Sequence, residues 1–165
     1  MKNKPFHILI LISLSLIGGG CTSNKLDFCS LLSLEEVSEF NADVVSSQMG
    51  VRGEETPTRY CVYKTKNNDE VFLLSIGNPT KNLPYDILQT FSLHMDGVNS
   101  VEMVIDVGNS AAALFSDDFE TDKFRILIAN SSDWSVTIRA KGVSSKYSEK
   151  FSTLKKLANT ALERF

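Results

Sequence analysis

Residues 58–77 read TRYCVYKT, KNND, EVFLLSIG: two runs rich in Tyr, Val, Phe, Leu and Ile, joined by Lys66-Asn67-Asn68-Asp69. Aromatic and β-branched side chains favour strands, and an Asn/Asp-rich link tolerates the backbone of a tight reversal, so the segment predicts an antiparallel hairpin. Strand-like patterning resumes later. Val98 to Val107 alternates, with Val101, Met103, Ile105 and Val107 on one side, and a Gly108-Asn109 turn leads into a small-residue strand, Ala111 to Phe115. Phe124, Ile126 and Ile128 alternate again, Asn130 to Asp133 turns, and Trp134, Val136, Ile138 and Ala140 share one side of a last strand.

Helical signals lie before, between and after these strands. Ser33-x-x-Glu36 is a capping box, Leu32 and Val37 occupy hydrophobic-staple positions, and Leu34, Val37 and Phe40 recur at helical spacing. Asn82 to Met95 forms a second candidate, with Pro84 in its first turn and Ile87, Leu88, Phe91 and Met95 on one face. Past Gly142 and a Ser144-Ser145 cap, Tyr147, Phe151, Leu154, Ala158, Ala161 and Phe165 form the stripe of a third helix. Gly50, Gly53 and Pro57 mark a polar loop ahead of the hairpin. The order is α-β-β-α-β-β-β-β-α. Hairpins without a βαβ rhythm imply an α+β fold, an antiparallel sheet of about six strands with three helices mainly on one face.

The chain begins with Lys2 and Lys4, an apolar run from Ile8 to Ile17, then Gly18-Gly19-Gly20 and Cys21. A basic start, a short apolar core and small residues before a cut describe a secretory signal peptide. Ten residues, two of them Ser13 and Ser15, cover only about half of a ~30 Å hydrocarbon core, so a transmembrane anchor fits less well. A cysteine directly after the small residues resembles the lipobox of bacterial lipoproteins, with Gly18 where that family usually has Leu. The resemblance implies that Cys21 is acylated and becomes the first mature residue. Residues 1–20 are then the signal, 21–28 a lipidated N-terminus and short tether, and 29–165 one domain. Cys21 to Cys29 spans at most about 28 Å, which keeps the domain near the headgroups.

Lipid on Cys21 leaves Cys29 and Cys61 as one pair in an oxidising compartment, where a disulfide is expected. Two buried free thiols are the competing reading. Zinc fits poorly, because two cysteines without a neighbouring histidine do not complete a tetrahedral shell.

Losing Lys2 and Lys4 reduces 17 basic residues to 15 against 20 acidic ones, a net charge near −5 with no basic cluster. Nucleic acid is therefore not an expected partner, and membrane attachment falls to the lipid. Asp27-Phe28-Cys29-Ser30-Leu31-Leu32-Ser33-Leu34-Glu35-Glu36-Val37 resembles the opening of small, mainly actinobacterial lipoproteins classed as a domain of unknown function. Tyr60-Cys61-Val62-Tyr63 and the Val104 to Ala111 turn have counterparts in that family, which often has Trp where this chain has Tyr63. The resemblance implies a lipid-anchored, disulfide-bonded α+β domain and carries no catalytic residues.

The residues supply little chemistry. His94, the one histidine beyond the signal, falls near a helix end, where a solvated or capping role is ordinary. No Gly-x-Ser-x-Gly turn exists for a hydrolase. Asp118, Glu120 and Asp122 have calcium-loop spacing, but Lys123 stands where the sharp turn needs Gly and the distal Glu is missing, so the Asp117–Asp122 cluster reads as a solvated loop. Glu35-Glu36 and Glu54-Glu55 read as first-turn and loop charges, and Trp134 as a core residue. No cofactor, metal or catalytic residue is expected. The expected function is partner recognition by an envelope lipoprotein, on the outer membrane of a diderm or the outer face of a monoderm plasma membrane. The long loop Gly50–Arg59 and the acidic loop Asp117–Asp122 are the expected contact regions. The alternative is a carrier of a lipid or small apolar ligand, which would need an enclosed apolar cavity.

Overall fold

The structure, a computed structural model, describes residues 27–53, 58–78, 82–93, 99–116, 125–143 and 147–165. Among them lie strands β1 (Val44–Arg52), β2 (Thr58–Thr65), β3 (Glu70–Gly77), β4 (Asn99–Val104), β5 (Ser110–Ser116), β6 (Arg125–Asn130) and β7 (Ser135–Ala140). Helices are α1 (Leu34–Phe40), α2 (Pro84–Ser92) and α3 (Glu149–Arg164), preceded by a 3-10 turn at Phe28–Ser30. The strands form one antiparallel sheet in the order β1-β2-β3-β7-β6-β5-β4, so the fold is α+β. Two meanders, β1-β2-β3 and β4-β5-β6-β7, join where β3 pairs with β7.

Hairpin β2–β3 turns on Asn68, whose φ of 66° suits a short polar side chain, with Asn68 N–H donating to the Thr65 carbonyl at 2.9 Å. Ser33 caps α1 as its sequence requires. Its backbone N–H donates to Glu36 Oε2 at 2.8 Å, and Glu36 N–H donates to Ser33 Oγ at 3.2 Å. Leu32 and Val37 are fully buried beside that cap.

Three expectations change. The sheet has seven strands, because Val44–Arg52 is a strand and only part of Gly50–Arg59 is a connection. Strand β1 is an edge whose residues beyond Val44 are largely exposed, so it carries no alternating burial for a sequence pattern to report. Gly50 is a packing residue there, since any side chain would collide with the Tyr60 ring lying across it from β2. Next, α1 and α3 share one face as expected, and α2 alone departs to the other. Phe40 of α1 and Phe151, Leu154 and Ala158 of α3 pack on Ala111, Ala113, Leu127 and Ile138, whereas Leu88 of α2 packs on Ala112, Leu114, Ile126 and Ile128 on the opposite face. Lastly, Tyr147 precedes α3 and is 86% exposed, and Ser148 caps that helix by accepting from Phe151 N–H at 3.2 Å. Ser144, Ser145, Phe124 and Met95 lie outside the described residues.

Both ends of the described domain are locked together. The sulfurs of Cys29 and Cys61 are bonded, tying the 3-10 turn to β2. Arg164, in the last turn of α3, forms a fork on Glu36, with Nη2 to Oε1 at 2.7 Å and Nη1 to Oε2 at 2.8 Å, and Nη1 also donates to the Leu31 carbonyl at 2.9 Å. The Arg164 bonds, followed by the Ser33 N–H, hold the Glu36 carboxyl down at about 2. Tyr63 donates its hydroxyl to the Leu32 carbonyl at 2.6 Å, and burial pushes its phenol above its ordinary range. Phe165 closes the seam, 5.9 Å from the Phe28 ring and 4.2 Å from Trp134.

Cys29→Ser should lower the unfolding free energy by roughly 3–4 kcal/mol, the loop entropy released when a 32-residue separation is no longer bridged; denaturation followed by Trp134 fluorescence reads it. Thiol labelling of the denatured, unreduced protein should find both cysteines unreactive. A carboxyl held below its ordinary value stabilises the fold fully above about 4.5, and that contribution is lost as pH falls towards about 2. Glu36→Gln keeps the capping box and removes the ion pair, so it should flatten the acid limb of the stability curve. An unchanged acid limb would show that the fork contributes nothing.

Candidate functional site

Strand β4 ends one side of the sheet, and among the described residues no strand pairs with its outer edge. Its six pairs with β5 run without a bulge, from Asn99↔Ser116 to Val104↔Ala111. Val101 and Met103 lie opposite Leu114 and Ala112, which face α2; Glu102 and Val104 lie opposite Ala113 and Ala111, which face α3. Val101 is covered by the α2 cluster. Met103 extends past it and is 77% exposed, and Ile105, just beyond the strand, is 74% exposed.

The turn that follows is held from several sides. Asp106 has φ 64° and Gly108 φ 53°, both in the left-handed region. Asn159 of α3 reaches both, its Nδ2 donating to the Asp106 carbonyl at 2.8 Å and its Oδ1 accepting from Gly108 N–H at 3.0 Å. Asn109 N–H donates to the Asn130 carbonyl at 2.7 Å, and Lys155 Nζ lies 3.9 Å from Asp106 Oδ2. A side chain on Gly108 would collide with the Asn130 carbonyl oxygen and stand 2.9 Å from Leu162 Cδ1, so glycine is required there on space as well as on φ. Val107 turns inward and is buried in the core shared with α3. Two left-handed residues in succession-but-one, clamped by one carboxamide, present Ile105 and Met103 from a fixed backbone.

A groove opens on each side of the strand. On the α2 side, about 340 Å³ lies among Leu83, Pro84, Tyr85 and Met103, with Asp106 and Asn109 at its polar end. On the α3 side, about 400 Å³ lies over Phe115 and Phe151, flanked by Tyr147, Glu102 and Lys155. Both open to solvent.

None of the described residues singled out from sequence as a candidate site lies in these grooves. Cys21, His94, the Asp117–Asp122 loop and Glu54-Glu55 lie outside the described residues. Cys29 and Cys61 form their bridge at the opposite end of the sheet, and Glu35 and Glu36 open α1, Glu36 serving the fork with Arg164. Trp134 packs against Phe165. Among the described residues, no three His, Cys, Asp or Glu side chains come together as metal ligands.

Sequence alternation placed Val101, Met103, Ile105 and Val107 on one side, but only the first and last are covered, by different layers. A period of two reports which way side chains point and not whether anything covers them. The usable signal was position: the first strand of a meander has one sequential neighbour, so it tends to an edge.

Asn159→Ala should leave the core intact, cost about 1–2 kcal/mol for two lost hydrogen bonds, and speed amide exchange at Gly108 and Asn109. Unchanged exchange at Gly108 would show that Asn159 does not hold the turn. No protein-family model, curated protein or solved structure matches the chain.

Proposed function

We propose that this chain is a lipid-anchored, non-enzymatic envelope protein that recognises a protein partner through the β4 edge. The observation that carries the reading is the pair Met103 and Ile105, held out to solvent on a clamped backbone between two grooves. Large apolar side chains on a rigid element, rimmed by Glu102, Asp106 and Lys155, have the make-up of an interface centre with a polar border. A carrier of a lipid or small apolar molecule would favour an enclosed cavity, and both grooves beside β4 are open. The anchoring half of the reading rests on the signal pattern and Cys21; among the described residues, no helix is long and apolar enough to cross a membrane.

The β2 strand, bonded to Cys29, is five strand spacings from β4, about 24 Å at ~4.8 Å each. A short tether before Cys29 therefore brings the β1–β2 end towards the bilayer and leaves β4 at the far end. Acylation at Cys21 supplies attachment, and the edge supplies recognition.

A photoreactive amino acid at Met103 in the host cell should give one discrete cross-linked envelope protein, while the same group at Ser46 on the opposite edge should not. The double variant Met103→Lys/Ile105→Asp should lose biological activity with the near-ultraviolet circular dichroism retained, and His94→Ala should keep nearly all of it. Cys21→Ala should move the protein from the detergent phase to the aqueous phase. Loss of activity with His94→Ala in a folded protein would overturn the non-enzymatic reading, and equal cross-linking from both edges would overturn the site.

A further inference from the structure

We infer, resting on the recognition reading above, that the partner contributes an extended peptide that adds to β4 as an eighth strand, its alternate side chains entering the two grooves in turn. The two edges of the sheet differ in how they are protected. Strand β1 exposes Val45, Met49 and Val51 beside Ser46, Ser47 and Gln48, but a bulge between Val44 and Ser46 breaks its register. Bulges and polar side chains are the usual means by which an edge refuses another strand. Strand β4 carries the charged Glu102 but no bulge, Pro or Lys, keeps a regular register over its whole length, and exposes Met103. An edge with an unbroken register, unpaired among the described residues, is a template for main-chain pairing.

The grooves specify the shape of what pairs there. They flank one strand on opposite faces of the sheet, one beside α2 and the other beside α3. An extended chain alternates its side chains between faces at every residue, so a peptide lying along β4 fills both grooves with consecutive residues. A helix presents its anchors on one side and would fill only one. The linings set the side chains: Leu83, Pro84 and Met103 suit aliphatic residues at alternate positions on the α2 side. On the α3 side, Phe115, Phe151 and Tyr147 with Lys155 beside them suit an intervening aromatic or long residue with a polar end. The turn clamped by Asn159 fixes the end of the strand, so little backbone ordering accompanies docking.

The test is a phage-displayed library of random decapeptides panned against the full-length protein in detergent. Enriched peptides should carry apolar residues at every second position, and adding the synthetic peptide should slow amide exchange within residues 99–104. N-methylation of alternate peptide nitrogens in one of the two possible sets should weaken binding by about tenfold or more, while methylation of the other set changes it little. Met103→Lys, at an exposed position, should weaken binding comparably without altering the fold. Enrichment of a helical spacing, insensitivity to N-methylation in both sets, or no enriched peptide would overturn strand addition. Concentration-dependent dimerisation that Met103→Lys abolishes would assign the edge to a second copy. Binding of the Cys21→Ala chain to phosphatidylcholine–phosphatidylglycerol vesicles that Met103→Lys abolishes would assign it to a bilayer. Either result overturns the peptide. If strand addition fails while Met103 still cross-links one protein, the mode is wrong and the recognition reading stands; if both fail, the function itself is wrong.

Discussion

Six residue pairs between β3 and β7, from Phe72↔Ala140 to Gly77↔Ser135, hold the two halves of this sheet together. Each partner lies 58 to 68 positions from the other in the chain, so this ladder closes the longest loop of any strand pair in the sheet. Without it the molecule would be two meanders that share no core beneath α1 and α3. Side chains at the junction explain why it holds. Phe72, Leu74 and Ile76 of β3 lie opposite Ala140, Ile138 and Val136 of β7, all buried on the face that α1 and α3 cover. Phe72 also takes edge-on contacts from Phe40 at 5.7 Å and Tyr63 at 5.5 Å, which tie helix, junction and hairpin into one aromatic cluster.

Joining the meanders at their last strands sends their first strands to the outside. That is why β1 and β4 are both edges; the helices that precede them meet different faces. Burial on both faces is then greatest at β5 and β6. Ala111 and Ala113 face one helix layer while Ala112 and Leu114 face the other, and three alanines in a row allow both layers to approach closely. The edge strand β4 is therefore mounted on the most enclosed part of the sheet. A backing of that kind gives an edge a fixed geometry even where its outer side meets only water.

What the sequence disclosed follows from where its signals are local. The hairpin limits at Thr58, Thr65, Glu70 and Gly77 and the cap at Ser33 were legible because a four-residue turn and a capping box are complete within a few residues. Strand β1 was hidden because its pairing energy comes from β2 backbone and a Tyr60 ring, neither of which its own residues advertise. Met103 and Ile105 were legible as a strand face and illegible as a surface, since coverage is decided by where α2 stops. Tyr147 continued the helical spacing of α3 in sequence, yet Ser148 caps the helix behind it and leaves the ring outside. The β4 edge as a site needed the strand order, which depends on the β3–β7 ladder and on no motif.

The distribution of reinforcement along the sheet then acquires a mechanical meaning. The disulfide, the Arg164–Glu36 fork and the Phe28–Phe165 contact all lie where the chain emerges at Asp27. A lipid on Cys21, as proposed, would load the domain at that point, because any pull between bilayer and partner passes through the tether. The bridge to Cys61 takes such a load directly into β2, which is hydrogen-bonded on both sides. The 3-10 turn that precedes α1 is only three residues long and would peel away first if it relied on its own hydrogen bonds. The proposed recognition at the far end needs the reverse property, an edge free to pair, and among the described residues the fixing contacts there fall on the turn and none on the outer side of β4. Cross-links at the Asp27 end and a rigid β4 edge at the other suit the proposed role of a domain held at one end that holds something at the other.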